Sequence, residues 1–493
     1  MGDTLDVTNW QASADGRYYG YYPSGDAIQG LEYTIPISGS AVWFNGNWDG
    51  PFNGTEAEPY NDIQAAFDAL TDGVGGEIVV KDGTYNVDSS NRARYMINDR
   101  ASSGFGAKKS GAGWAASATN RDDMILVRAE TPFGARFSYT GAGGFYYSFI
   151  NLESAQFVSV DGLIFENDET SGLALQNMCN TGDNNYISRC IFKRAADGND
   201  GSWVACNDNS LVEMCAGVGA TRYGFRCGDS TAATTNHCYR LCVGRFDTSE
   251  FTQPCATFAF YGNNSGTAAN DAAFLNCIAI DGQWFDTADA NLIKWGGLYL
   301  PKNAAQCTIN GFLVLNEEAR YAGLFAGEQQ GEDIVVNDSV IWDITGSANV
   351  DGYRCNANGT GNAADSLTVG NVNQNFYYTG NTVTPTNSRA NDSLNGTDKS
   401  ILYQNDGADA RYVYGSLGQR FGDAGFDQVT AVPAFPFPYE DTIKSVFTEQ
   451  IDTAAGHNPA GNVSNRGFCQ STSLTDYIIK YVDPTTTISE VYA

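Results

Sequence analysis

The sequence predicts an all-β solenoid, and three observations predict it: a turn-rich composition, a column of residues recurring at near-regular intervals, and an opening helix–turn–strand unit. The 493 residues include 55 glycines with frequent Asn, Asp, Ser and Thr, which favour tight turns between short strands over long helices. A chain of this length ordinarily suggests several domains, but a solenoid grows by adding coils to one stacked core.

The opening unit runs from Pro59 to Val87, PYNDIQAAFDALTDGVGGEIVVKDGTYNV. Ile63, Ala66, Phe67 and Leu70 recur at helical spacing, Asn61 or Asp62 can cap the start, and Gly73 is placed to end the helix. Gly75-Gly76 then turns the chain. Ile78, Val79 and Val80 form a buried β run that stops at Asp82-Gly83.

The repeat appears when short apolar segments are aligned: VSVDGLIFEN from Val158, YISRCIFKR from Tyr186, LVEMCAGVG from Leu211, YRLCVGRF from Tyr239, AFLNCIAIDG from Ala273, INGFLVLN from Ile309 and VVNDSVIWD from Val335. One column runs through them, Leu163, Cys190, Cys215, Cys242, Cys277, Phe312 and Ser339, and subtracting the numbers gives steps of 27, 25, 27, 35, 35 and 27. A period of this size is the signature of stacked coils. In stacked parallel strands equivalent residues lie about 4.8 Å apart and point the same way, so the four cysteines form a ladder of small apolar side chains. Parallel side chains do not give the dihedral a disulfide needs, so the ladder predicts buried free thiols and folding in a reducing cytosol.

The two long steps leave extra residues beyond a plain coil, and such insertions project from one face of a solenoid. They fall in RFDTSEFTQPC, YGNNSGTAAND and DGQWFDTADANLIKWGGLYLPKN. These loops supply the candidate site: Asp247, Glu250, Asp286 and Asp289 as catalytic carboxylates, with Tyr261, Trp284 and Trp295 as substrate-binding aromatics. Solvated turn carboxylates and packed aromatics account for the same residues in so acidic a chain. Glu317, Glu318, Glu328, Glu332 and Asp333 form a second acidic group open to the same two readings. His237, beside Cys238, can be a base or a structural residue, the commoner role for a lone histidine near a strand start.

Composition excludes several classes. With 28 basic and 57 acidic residues the net charge is −29, a field that repels nucleic acid and anionic lipid. No apolar run is long enough for membrane insertion, and the N-terminus lacks the pattern of an export signal. Two histidines and no paired C-x-x-C spacing among twelve cysteines argue against structural zinc. No metal or cofactor is expected.

The opening unit resembles the N-terminal cap of the pectate-lyase-like superfamily, where a D-x-I-Q-A-A-I/F-D-A helix precedes a G-G-x-V-x-V-P-x-G-T-Y strand, with Lys81 here at the usual proline. The resemblance implies a single-stranded right-handed parallel β-helix with a short N-terminal capping helix and a non-repeating C-terminal region. It divides the chain into an attachment or capping segment (1–58), the β-helix (59–380) and a capping or oligomerisation region (381–493). The family's polygalacturonase set (N-T-D, D-D, G-H-G, R-I-K) is absent, Asp122-Asp123 having no accompanying G-H-G, and the pectate-lyase calcium and arginine motifs are not recognisable.

An acidic, signal-free β-helix with distinct terminal segments is most similar to bacteriophage tailspikes. That likeness implies a homotrimeric virion protein, assembled in the host cytoplasm, that binds cell-surface polysaccharide and contacts other virion proteins through a terminal region, with or without depolymerase activity. The alternatives are a secreted polysaccharide lyase or glycoside hydrolase of the same fold, and a non-catalytic virion decoration protein.

Overall fold

A computed structural model describes residues between 41 and 390; residues 1–40 and 391–493, and internal stretches that include 99–124, 168–176, 195–200, 228–236, 247–253, 261–271, 281–292 and 379–388, lie outside the described residues. Within them the chain winds through three parallel sheets of 11, 11 and 10 strands. Each full coil contributes one strand to each sheet in turn, for example Tyr186–Ser188, Ile191–Arg194 and Ser202–Cys206. Each strand between the sheet edges therefore pairs with its equivalents one coil before and one coil after, with the right-handed sense that parallel crossovers take. The structure is a parallel β-helix, as the repeat and the opening unit predicted.

Stacking begins before the capping helix. Ala41–Phe44 pairs in parallel with Gly76–Val80 and forms the edge of the first sheet. An open edge invites pairing with another chain, and here a local loop covers it: the Trp43 N–H donates to the Gly54 carbonyl at 2.8 Å, and the Tyr60 N–H donates to the Trp43 carbonyl at 2.8 Å. The helix spans Ile63–Asp68, with the Asp62 carboxylate accepting from the backbone N–H groups of Gln64 and Ala65. Ile63, Ala66, Phe67 and Leu70 are buried, so the apolar stripe closes the end of the core. The helix stops at Asp68 with Ala69 as its C-cap, ahead of Gly73, because the stripe is already buried after two turns. Gly-Thr-Tyr also takes a different place from the one expected. It opens the next strand, Gly83–Val87, beyond a corner at Lys81 and Asp82.

The recurring column lies at the corner between the first and second sheets rather than within a strand. Leu163 sits between Val158–Asp161 and Ile164–Asn167, and Cys190 between Tyr186–Ser188 and Ile191–Arg194. The preceding residues Gly162 and Arg189 have φ of 71° and 49°, the left-handed conformation that lets two residues redirect the chain. All seven column residues are buried. The side chains of ten of the twelve cysteines are described, and each is a buried free thiol.

Inside the solenoid, Phe137, Phe165 and Phe192 occupy one register position of the second sheet and stack at 5.5 and 5.6 Å, nearly parallel. Gly217 and Gly244 continue that row. The change makes room for Trp203: a Cβ on Gly217 would meet its ring at 2.1 Å and one on Gly244 at 3.0 Å. No helix among the described residues is long and apolar enough to cross a membrane.

Candidate functional site

The expected loop site falls mostly outside the described residues, including Asp247, Glu250, Tyr261, Trp284, Asp286 and Asp289. The flanking strands nevertheless fix where those loops leave the solenoid. Asp247 and Glu250 lie between Val243–Phe246 and Pro254–Phe260, while Trp284, Asp286 and Asp289 lie between Ile278–Ile280 and Ile293–Tyr299. Both connections run from the second sheet to the third on consecutive coils. Tyr261 belongs to a different corner, from third sheet to first. Trp295 lies in the strand Ile293–Tyr299 as the extra residue of a bulge, where pairing shifts from Cys255 with Lys294 to Ala256 with Gly296.

The second acidic group is divided by the coil. Glu317 and Glu318 lie in the second-sheet strand Leu313–Ala319, whereas Glu332 and Asp333 open the first-sheet strand Glu332–Asn337. His237 shares an interior-facing parity with Tyr239 and is fully buried. Burial lowers its pKa to about 4, against backbone hydrogen bonds at Asn207 and Cys206 that raise it. It is therefore a neutral structural residue near pH 7.

A different set of functional groups gathers on the first sheet. Ile187, Val212 and Tyr239 belong to the interior core, so strand alternation turns their neighbours to the outer face. Arg128, Asp161, Ser188, Glu213 and Arg240 thereby form one row across five consecutive strands. Leu126, Ser159, Tyr186, Leu211 and Cys238 form the parallel row beside it. The first row is charged or hydroxylated at every position, and the second places a phenol and a hydroxyl next to it.

These groups are linked across coils. Arg189 donates through Nε to Asp161 Oδ1 at 2.6 Å and through Nη2 to Oδ2, and the Ser188 hydroxyl donates to Oδ1 at 2.6 Å. This bidentate grip holds Arg189 in its left-handed conformation, which a residue other than glycine or asparagine seldom adopts. On the next coils, the Tyr186 hydroxyl donates to Glu213 Oε2 at 2.7 Å, and Arg240 Nε donates to Oε1. Arg128 Nε donates to Glu77 at the N-terminal end. Although the rows face outward, Glu213 and Tyr186 are 0% exposed and Arg240 1%. Ser159 is also fully buried, and its Oγ has no hydrogen-bond partner.

Burial decides the electrostatics. Desolvation raises the Glu213 pKa to about 7, with the Arg240 charge and the Arg240 and Tyr186 hydrogen bonds opposing it. Burial also raises the Tyr186 phenol well above its usual value, reinforced by the Glu213 charge. Glu213, Tyr186 and Arg240 thus form an enclosed cross-coil network. No group of three or more metal-ligating side chains occurs among the described residues.

Sequence reasoning passed over this row, but a signal for it exists. Asp161, Ser188, Glu213, Arg240, Leu275, Asn310 and Asn337 each stand two residues before a column residue. A position that is polar in six of seven repeats was visible in the alignment.

No protein-family model matches the chain, and no curated protein matches it. Solved structures similar to it include a rhamnogalacturonan lyase, at 12% identity and a TM-score of 0.40, covering 73% of this chain and 89% of that one. ORF18 of Geobacillus virus E2 is similar at 11% identity and 0.36, covering 76% and 66%. Pectate lyase Pel9A is similar at 13% identity and 0.34, covering 73% and 80%. On the evidence of its own coil order, with one strand per turn in each of three parallel sheets and a helix at the N-terminal end, the chain has a parallel β-helix fold.

Proposed function

We propose that this protein is a virion surface solenoid that binds linear polysaccharide on a host cell, in the manner of a tailspike. The observation that carries the reading is the stacking itself. Equivalent side chains recur about every 4.8 Å along one axis, so a solenoid of three parallel sheets repeats its surface positions in line, as a linear polymer sets out its hydroxyls. The ten buried free thiols fit a protein assembled in a reducing cytosol. A trimer with parallel axes would bury residual apolar flanks and resist unfolding outside the cell.

Binding of the full chain to an array of bacterial surface polysaccharides tests the reading. Saturable binding to a small set of polymers is expected, and binding to none would overturn it. Light scattering after size-exclusion chromatography tests the trimer, which a monomer of 52.9 kDa would contradict.

A further inference from the structure

The edge strand Ala41–Phe44 is engaged on both sides. Toward the solenoid it pairs with Gly76–Val80, and the Lys81 N–H donates to the Phe44 carbonyl at 2.9 Å. The backbone groups of the alternate residues point the other way, off the sheet. There Trp43 gives its N–H to the Gly54 carbonyl and accepts that of Tyr60, each at 2.8 Å, and the Asn45 N–H donates to the Tyr60 carbonyl at 2.7 Å. Phe44 and Tyr60 make an isolated parallel bridge. The chain from Gly46 to Tyr60 is therefore a strap laid along the open edge, and it takes the hydrogen bonds that an added strand would take.

Polar contacts within the strap hold it closed. Asn53 Oδ1 accepts from the Thr55 N–H at 3.0 Å and from the Thr55 hydroxyl at 2.7 Å, and Thr55 Oγ1 accepts from the Glu58 N–H at 3.2 Å. Asn53 Nδ2 donates to the Glu58 carboxylate, and the N–H groups of Asn53 and Gly54 both donate to the Glu58 carbonyl at 3.0 Å. Little apolar burial backs this clasp, since Pro51, Phe52, Asn53, Thr55, Glu56 and Ala57 are all exposed, Phe52 by 50%. Loss of the clasp therefore frees the strap while the buried residues of the helix Ile63–Asp68 still close the core.

From this arrangement we infer that residues 46–60 form a strap that denies the Ala41–Phe44 edge to a strand of a second copy of this chain, with Asn53, Thr55 and Glu58 as its clasp. A second copy fits because the sheets are built by parallel addition of the chain's own strands, and the first sheet ends, among the described residues, in another edge strand, Ala363–Asp365. Joining two Ala41–Phe44 edges closes a pair of chains. Joining that edge to the opposite edge of the next copy does not close and grows a fibre. The inference is independent of the polysaccharide reading.

The test is light scattering after size-exclusion chromatography on the full chain over a wide range of concentration, with hydrogen exchange followed in the peptide that contains Trp43 and Asn45. The wild type should keep one mass throughout. Asn53→Ala combined with Thr55→Ala should raise that mass about twofold or more at high concentration, twofold for paired edges and without limit for a fibre. In the same variant the peptide should exchange faster than wild type when dilute and regain protection in the associated species. Adding Trp43→Pro removes an outward N–H and no bond to Gly76–Val80, and should return the mass to the wild-type value. Faster exchange with an unchanged mass overturns the inference, because the edge is then open and unused. Exchange like wild type overturns the clasp and the inference with it. Association that leaves the peptide unprotected, or that accompanies loss of the wild-type thermal transition, is aggregation of unfolded chain and also overturns it. If Trp43→Pro itself abolishes that transition, the exchange protection of the double variant decides.

Discussion

At the scale of single residues, two features show how tightly coil geometry constrains composition. Gly219 has φ of 100°, and a Cβ there would lie 1.7 Å from the Arg194 carbonyl oxygen. Neither strain can be relieved by rotating a side chain, so Gly219→Ala should cost about 3 kcal/mol or more in denaturant unfolding. Gly217 differs because its obstacle is the Trp203 ring. Gly217→Ala should cost about 1–3 kcal/mol by overpacking, and combining it with Trp203→Leu should cost clearly less than the sum of the single changes. Additive costs would show that the two residues do not share that space.

The ion pair of Glu213 and Arg240 makes a second prediction at this scale. Arg240→Met leaves a buried carboxylate without its cation and should destabilise by about 3–5 kcal/mol. The pH dependence follows from the raised Glu213 pKa. A folded-state value of about 7 against an ordinary 4.5 means that the folded protein holds this proton more tightly than the unfolded chain. The resulting stability is fully present below pH 4.5 and is lost as pH rises through about 7. Asp351, raised by burial to about 6, acts in the same direction at lower pH. Thermal unfolding should therefore shift upward between pH 8 and pH 5.5, and Glu213→Gln should reduce the shift. A shift unchanged by Glu213→Gln would place its source elsewhere.

At the scale of elements, the solenoid was legible because its signals are local. Asp62, the spacing of Ile63, Ala66, Phe67 and Leu70, and the run Ile78–Val80 define a cap and a strand without reference to distant residues. The cysteine column was equally visible, but its position at a corner was not, since neither burial nor period distinguishes a strand residue from one that follows a left-handed turn. Gly162 hinted at the turn, whereas Arg189 hid it, its conformation depending on a guanidinium that reaches Asp161 on the previous coil. The first-sheet row escaped notice because acidic side chains are common throughout this chain, and only register tells an aligned row from scattered turn residues. Asp62→Ala should cost about 1 kcal/mol through loss of the N-cap, measured as reduced hydrogen-exchange protection of the helix Ile63–Asp68. Unchanged protection would mean that packing alone holds the helix.

At the scale of the whole molecule, one architecture accounts for the repeat, the thiols and the proposed role. Stacking buries ten cysteines as free thiols and produces a long axis along which positions repeat. Titration of the denatured, unreduced chain should find all twelve cysteines of the sequence as free thiols, and a count near zero would contradict assembly in a reducing compartment. The central claim, that this axis serves to bind a linear polysaccharide, is tested most directly by presenting the full chain to an array of bacterial surface polysaccharides. The account predicts saturable binding confined to a few linear polymers; absence of binding to every polymer on the array would contradict it.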